Sequence, residues 1–72
     1  MEKEFKYFRK KVKFDIRSGI VCGYDPSNEE QLIIAITEGE DGWHETTLPH
    51  VLLGYKNNPK GYWWVDSKYV IE

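Results

Sequence analysis

The amino-acid sequence predicts a small all-β domain, a five-stranded antiparallel barrel. Three observations carry this: short apolar segments that alternate or run in β-branched residues, turn signals every few residues between them, and few helical signals. The chain of 72 residues is read as one domain, of a size that buries only about 60% of its unfolded surface. Large side chains must then carry much of the packing. The chain has three Trp, five Tyr and three Phe for this, each able to bury roughly 150–250 Å².

Residues 10–16 alternate, with Val12, Phe14 and Ile16 on one face and Lys11, Lys13 and Asp15 on the other, the pattern of a half-buried strand. Arg17-Ser18-Gly19 reads as a tight connection to a second strand over 20–24, inside which Gly23 marks a bulge or bend. Asp25-Pro26-Ser27-Asn28 stops that strand and turns it into a hairpin with the third. The third strand spans 31–37, where Leu32-Ile33-Ile34-Ala35-Ile36 is short, rich in β-branched residues and bounded by turn signals. An acidic, glycine-flanked turn follows, Glu38-Gly39-Glu40-Asp41-Gly42.

Residues 43–61 form a long irregular connection, a place where binding residues tend to sit. Within it, 48–54 has proline near its start and glycine at its end and predicts one helical turn, while 57–61 is loop. Residues 62–65 resume a strand, Asp66-Ser67-Lys68 makes a tight turn, and Tyr69-Val70-Ile71 pairs as a last short strand that closes the sheet. Trp63 and Trp64 are adjacent, so strand alternation sends them to opposite faces. The expectation is Trp64 inward together with Tyr62, and Trp63 outward.

The single cysteine, Cys22, has no partner for an intramolecular disulfide, and no paired Cys/His spacing suggests structural zinc. No apolar signal-peptide region opens the chain, and the longest apolar run, residues 32–36, is far below the roughly 20 needed to cross a bilayer. A soluble, cytoplasmic setting with no membrane partner is expected. The net charge of −2 conceals segregation: residues 1–17 carry seven basic and three acidic residues, a net +4, and residues 18–72 carry three basic and nine acidic, a net −6. The basic excess of residues 1–17, which include a basic N-terminal arm at 1–9, reads either as a solvated strand face whose lysines protect a sheet edge or as a phosphate-binding stripe.

The order of elements, with Gly19-Ile20-Val21-Cys22-Gly23-Tyr24-Asp25, the apolar third strand, Gly42-Trp43-His44, Tyr62-Trp63-Trp64-Val65 and a short terminal strand, resembles small uncharacterised phage and bacterial proteins with an SH3-like (Src-homology-3-like) barrel. The likeness spans roughly residues 10–72. Val65-Asp66-Ser67-Lys68-Tyr69-Val70 is also similar to the proline-serine-asparagine-tyrosine-valine segment that makes a single helical turn near the end of true Src-homology-3 domains. The alanine-leucine-tyrosine-aspartate-tyrosine motif of peptide-binding members is missing, as is their upstream tryptophan pair, and Asp66 stands where they have proline. The resemblance therefore implies the barrel and a small accessory protein that could inhibit or redirect a host factor, and it does not bring recognition of proline-rich peptides with it.

Three constellations are candidate sites. Trp43, His44, Tyr55, Tyr62 and Trp63 could form an aromatic surface for a protein partner, since flat rings give contact area at low entropic cost; the alternative is that most of them are core. His44 and His50 lie near Glu38, Glu40, Asp41 and Glu45, but the spacing is not a metal-ligand pattern, and no metal or cofactor is expected. Lys6, Arg9, Lys10, Lys11 and Lys13, interleaved with Tyr7 and Phe8, could lie across a phosphate backbone; alternatively Phe5 and Phe8 pack the arm onto the barrel with the lysines in water. Cys22 sits mid-strand, and neither a nucleophile elbow nor a P-loop occurs, so catalysis is not expected. The sequence thus points to a non-catalytic binding module for a protein or a second copy of itself, with acidic Glu38, Glu40, Asp41 and Glu45 selecting a basic complement. Nucleic-acid or phosphate-ligand binding through the basic arm is the alternative.

Overall fold

The computed structural model describes residues 5–42, 51–54 and 59–72. Over these the chain is all-β: β1 (Lys11–Phe14), β2 (Arg17–Asp25), β3 (Asn28–Glu38), β4 (Val51–Leu52) and β5 (Tyr62–Asp66), followed by a single 3-10 turn, η1 (Ser67–Tyr69). Every pairing is antiparallel. β2 pairs with β1 and β3, β3 pairs with β5, and β4 pairs with β2. Beyond η1, Ile71 makes an isolated bridge to Lys13, through Lys13 N–H to Ile71 O at 2.8 Å and Ile71 N–H to Lys13 O at 2.7 Å. No helix among the described residues is long and apolar enough to cross a membrane.

β3 runs longer than its apolar stretch, because Asn28 to Gln31 continue the hairpin from the Pro26-Ser27 turn. That turn is fixed by Asp25, whose carboxylate accepts from Ser27 Oγ at 2.7 Å and from Ser27 N–H at 2.8 Å. These bonds hold the Asp25 carboxyl below its ordinary pKa. Leu32 to Ile36 are buried without exception, so β3 is covered on both faces, as an unbroken apolar run requires. One face carries the larger core, Val12, Phe14, Val21, Leu32, Ile34, Ile36 and Val65, joined by Phe5 and Tyr7 of the N-terminal arm. The other carries a smaller cluster, Cys22, Ile33 and Ala35, against which Tyr62 and Trp64 pack.

The bulge expected at Gly23 is present: the β2–β3 register steps between Val21 and Gly23. One extra residue changes the phase of the strand. Val21 and Tyr24, three residues apart, thus both reach the larger core, while Cys22 enters the smaller one. The bulge also divides the outer edge of β2. Before it β1 pairs there, and after it β4 does, with Leu53 N–H donating to Cys22 O at 2.7 Å.

Three expectations are corrected. The β1–β2 reversal is not at Arg17-Ser18-Gly19 but at Asp15-Ile16, where Asp15 adopts a φ of 52° and Phe14 pairs with Arg17. Gly19 lies within β2, buried against β3, and a Cβ there would meet Ile34 Cγ2 at 2.6 Å and collide with the Ala35 carbonyl. It is a glycine of close approach rather than of a turn. Within 48–54, Val51 and Leu52 form β4 instead of part of a helical turn, because the edge of β2 beyond the bulge offers them a ladder. The last strand expected over 69–71 is reduced to the Ile71 bridge, since Tyr69 is taken up by η1.

The arm is part of the fold. Phe5 stacks on Tyr24 with centroids 4.1 Å apart, Phe5 and Tyr7 are buried, and Phe8 is exposed. Lys10 closes the arm against the chain end, its Nζ 3.1 Å from both carboxylate oxygens of Glu72. Of the pair expected to pack the arm, Phe5 does so, and Tyr7 takes the place of Phe8. Phe5→Ala is expected to lower stability by about 3 kcal/mol, the cost of emptying a buried ring site, and Phe8→Ala by no more than about 0.5 kcal/mol. Urea denaturation of the two variants checks both; equal costs would place the arm outside the core.

Candidate functional site

Pairing with β3 sorts the aromatic residues of β5. Trp63 lies opposite Ile34 and Val65 opposite Leu32, and both join the larger core; Tyr62 lies opposite Ala35 and Trp64 opposite Ile33, and both join the smaller cluster. Alternation thus separates the two tryptophans as expected, but the assignment is reversed. It is Trp63 that faces the main core, since the larger face of β3 is the one that Ile34 shares. Trp63 packs beside Phe14, centroids 6.4 Å apart, and close enough to Gly42 that a Cβ there would lie 2.6 Å from its Cδ1.

Over the Trp63 ring sits Arg17, its guanidinium carbon 4.2 Å from the ring centroid. The guanidinium donates to Asp15 Oδ2 at 3.0 Å from one nitrogen and to Glu40 Oε2 at 2.7 Å from another. The Arg17 side chain is only 11% exposed, so an aromatic face and two charge-assisted bonds replace most of its water. The clamp ties the β1–β2 turn and the loop after β3 to β5.

Beside this stack a groove of about 590 Å³ runs between β5 and the β1–β2 turn. Trp63, Trp64 and Tyr69 supply aromatic lining, Phe14 and Val65 aliphatic and aromatic depth, and Asp15, Arg17 and Asp66 the charges. Asp66 is fixed in place. Its Oδ1 accepts from Lys68 N–H at 3.0 Å as the cap of η1, and its Oδ2 accepts from Gln31 Nε2 at 3.1 Å. Ser67 Oγ bonds the Glu30 carboxylate, adding a second anchor from β3. Through these anchors η1 presents Tyr69, which is 64% exposed, at the groove's rim. Ile16, which follows Asp15 and precedes Arg17 in the chain, is exposed on the β1–β2 turn.

Of the aromatic residues expected to form one surface, Tyr62 and Trp63 lie on opposite faces of β5, and Trp43, His44 and Tyr55 lie outside the described residues, as does His50. Of the basic residues, Lys11 and Lys13 share the outer face of β1 and line a second groove of about 630 Å³ together with Glu38 and Glu72. Lys10 is engaged by Glu72, and Lys6 and Arg9 lie on the turn of the arm, each over a neighbouring ring, Tyr7 and Phe8 respectively. Arg17, Asp66 and Tyr69 are site residues that sequence reasoning did not single out, and Trp64, expected inward, lines the groove as well. Only η1 carried a signal, in the similarity of Val65-Asp66-Ser67-Lys68-Tyr69-Val70 to a known helical turn.

Cys22 lies apart from the groove, buried, and burial pushes its thiol up to about 11 from an ordinary 9. Comparison with protein-family models, with curated proteins and with solved structures finds no match for the chain.

Two outcomes are expected. Trp63→Ala should cost about 3–5 kcal/mol in denaturant-induced unfolding, as removal of a core indole does, while Tyr69→Ala should stay within about 0.5 kcal/mol. Because the Cys22 thiol ionises more readily in the unfolded chain than in the folded one, its contribution is full below pH 9 and is lost as pH rises from 9 toward 11. The stability difference between the wild type and Cys22→Ala should therefore shift against the wild type across that window; a difference flat with pH would refute it.

Proposed function

We propose that the chain is a non-catalytic binding module for a protein partner, and that the groove between β5 and the β1–β2 turn is where the partner docks. One observation supports this above the others: an exposed tyrosine, held by a capped turn, stands at the rim of an aromatic-lined groove. Rigid aromatic rings beside anchored polar groups are the composition of binding hot spots, because little side-chain entropy is left to lose. We further propose an SH3-like barrel for the fold, in the manner of the small phage and bacterial proteins the sequence resembles. The meander β1–β2–β3–β5, the 3-10 turn after β5 and the return of Ile71 to β1 support it. A cytoplasmic setting belongs to the same reading, with Cys22 reduced.

The second groove, with Lys11 and Lys13 side by side, favours the alternative of phosphate or nucleic-acid binding, although Glu38 and Glu72 line it too. A single comparison separates the readings. Proteins retained from a cell lysate on immobilised wild type should be lost with Tyr69→Ala, about tenfold or more, as for a central aromatic contact, and kept with Lys11→Ala/Lys13→Ala. Tyr69-independent retention of oligonucleotides, lost with the lysine pair and falling steeply with salt, would instead establish the alternative.

A further inference from the structure

Two aromatic rings of the groove already carry a cation from this chain. Arg17 covers Trp63 with its guanidinium carbon at 4.2 Å, and Lys68 covers Tyr69 with its Nζ at 5.1 Å. The two are held differently. Arg17 is nearly buried and bound to two carboxylates, whereas Lys68 and Tyr69 are both exposed. The charge around them is unequal. Asp15 and Asp66 line the groove, Glu40 stands behind Arg17 and Glu30 behind Ser67, so four carboxylates surround two cations. An incoming positive charge gains from this imbalance and an incoming negative charge loses.

Resting on the binding-module reading, we infer that the groove takes an extended segment of a protein partner bearing lysine or arginine, whose cation replaces Lys68 on the Tyr69 ring. The apolar remainder of that segment lies along Trp64 and Val65. Lys68 is thus an intramolecular occupant of the partner's position. It keeps the ring face covered in the free protein and competes weakly, since an exposed lysine over a ring is worth little.

The sign of the Lys68 effect distinguishes this from general attraction between a partner and an acidic surface. The probe is an array of nine-residue peptides in three sets, with two fixed Lys or Arg, two fixed Glu, or neither, the other positions being randomised apolar and small residues. Full-length protein should be retained by the basic set alone. Lys68→Ala should strengthen that retention about two- to fivefold, the equivalent of one exposed cation–π contact, and Tyr69→Ala should abolish it. Glu38→Gln, a carboxylate that lines the second groove and not this one, should leave it unchanged. Each variant is first shown to keep the wild-type unfolding midpoint. Weaker retention with Lys68→Ala, or an equal loss with Glu38→Gln, overturns the inference. Tyr69-dependent retention of the acidic or uncharged set overturns the inference while leaving the binding module standing. No retention of any set, with Tyr69→Ala and Trp64→Ala indistinguishable from wild type, overturns both.

Discussion

Everything else in this domain follows from β3 being buried on both faces. Leu32, Ile33, Ile34, Ala35 and Ile36 are all sealed from water, and each of the larger side chains among them contributes roughly 1.5–3 kcal/mol by being so. A strand buried on one face needs a single layer against it; one buried on both needs two, and a chain of 72 residues has little to spare. The larger face is covered largely by rings, two of them brought in from outside the sheet and one from β2. Phe5 and Tyr7 come from the N-terminal arm and Tyr24 comes through the bulge. Against the smaller cluster pack Tyr62 and Trp64 of the neighbouring β5.

The same demand fixes where the proposed binding surface can be. Since β5 sends Trp63 to one face and Trp64 to the other, neither indole is spare, and an aromatic patch cannot consist of their doubling alone. What remains is the rim, where both rings show an edge in one groove and where a residue beyond the strand, Tyr69, can be aimed without being needed in the core. The 3-10 turn does the aiming. Asp66 is at once the partner of Gln31 across the sheet and the cap of that turn, so the position of Tyr69 is tied to the register of β3 and β5.

The strands with a strong local signal were legible in the sequence and the contacts between distant segments were not. The apolar run of β3, the alternation of Val12 and Phe14 in β1, the Pro26-Ser27 hairpin and the bulge beside Gly23 are all decided by neighbours in the chain. Gly19 was misread because a glycine that permits close approach of two strands looks the same in sequence as one that permits a turn. The reversal at Asp15-Ile16 was hidden by Ile16, which continues the apolar alternation of β1 yet ends exposed. The orientation of Trp63 and Trp64 depends on which face of β3 is the larger, and that is set by the arm and by the phase shift at Cys22, neither visible from β5. Arg17 had no local signal, since its ring and its second carboxylate come from β5 and from the loop after β3.

Arg17 and Lys68 show how burial decides the role of one interaction. Both are cations over aromatic rings. The Arg17 side chain has given up most of its water and is held over the Trp63 ring by charge-assisted bonds to Asp15 and Glu40, whose own carboxylates stay exposed. That makes the Trp63 stack a fixed wall of the groove. Around Lys68 water remains, the attraction to Tyr69 is screened, and the side chain can leave its ring at little cost. A groove with one immovable cation and one movable one has a defined shape and a single exchangeable position. Under the proposed reading, specificity for a cationic partner comes from that one site, while the wall that gives the groove its depth stays as the fold made it.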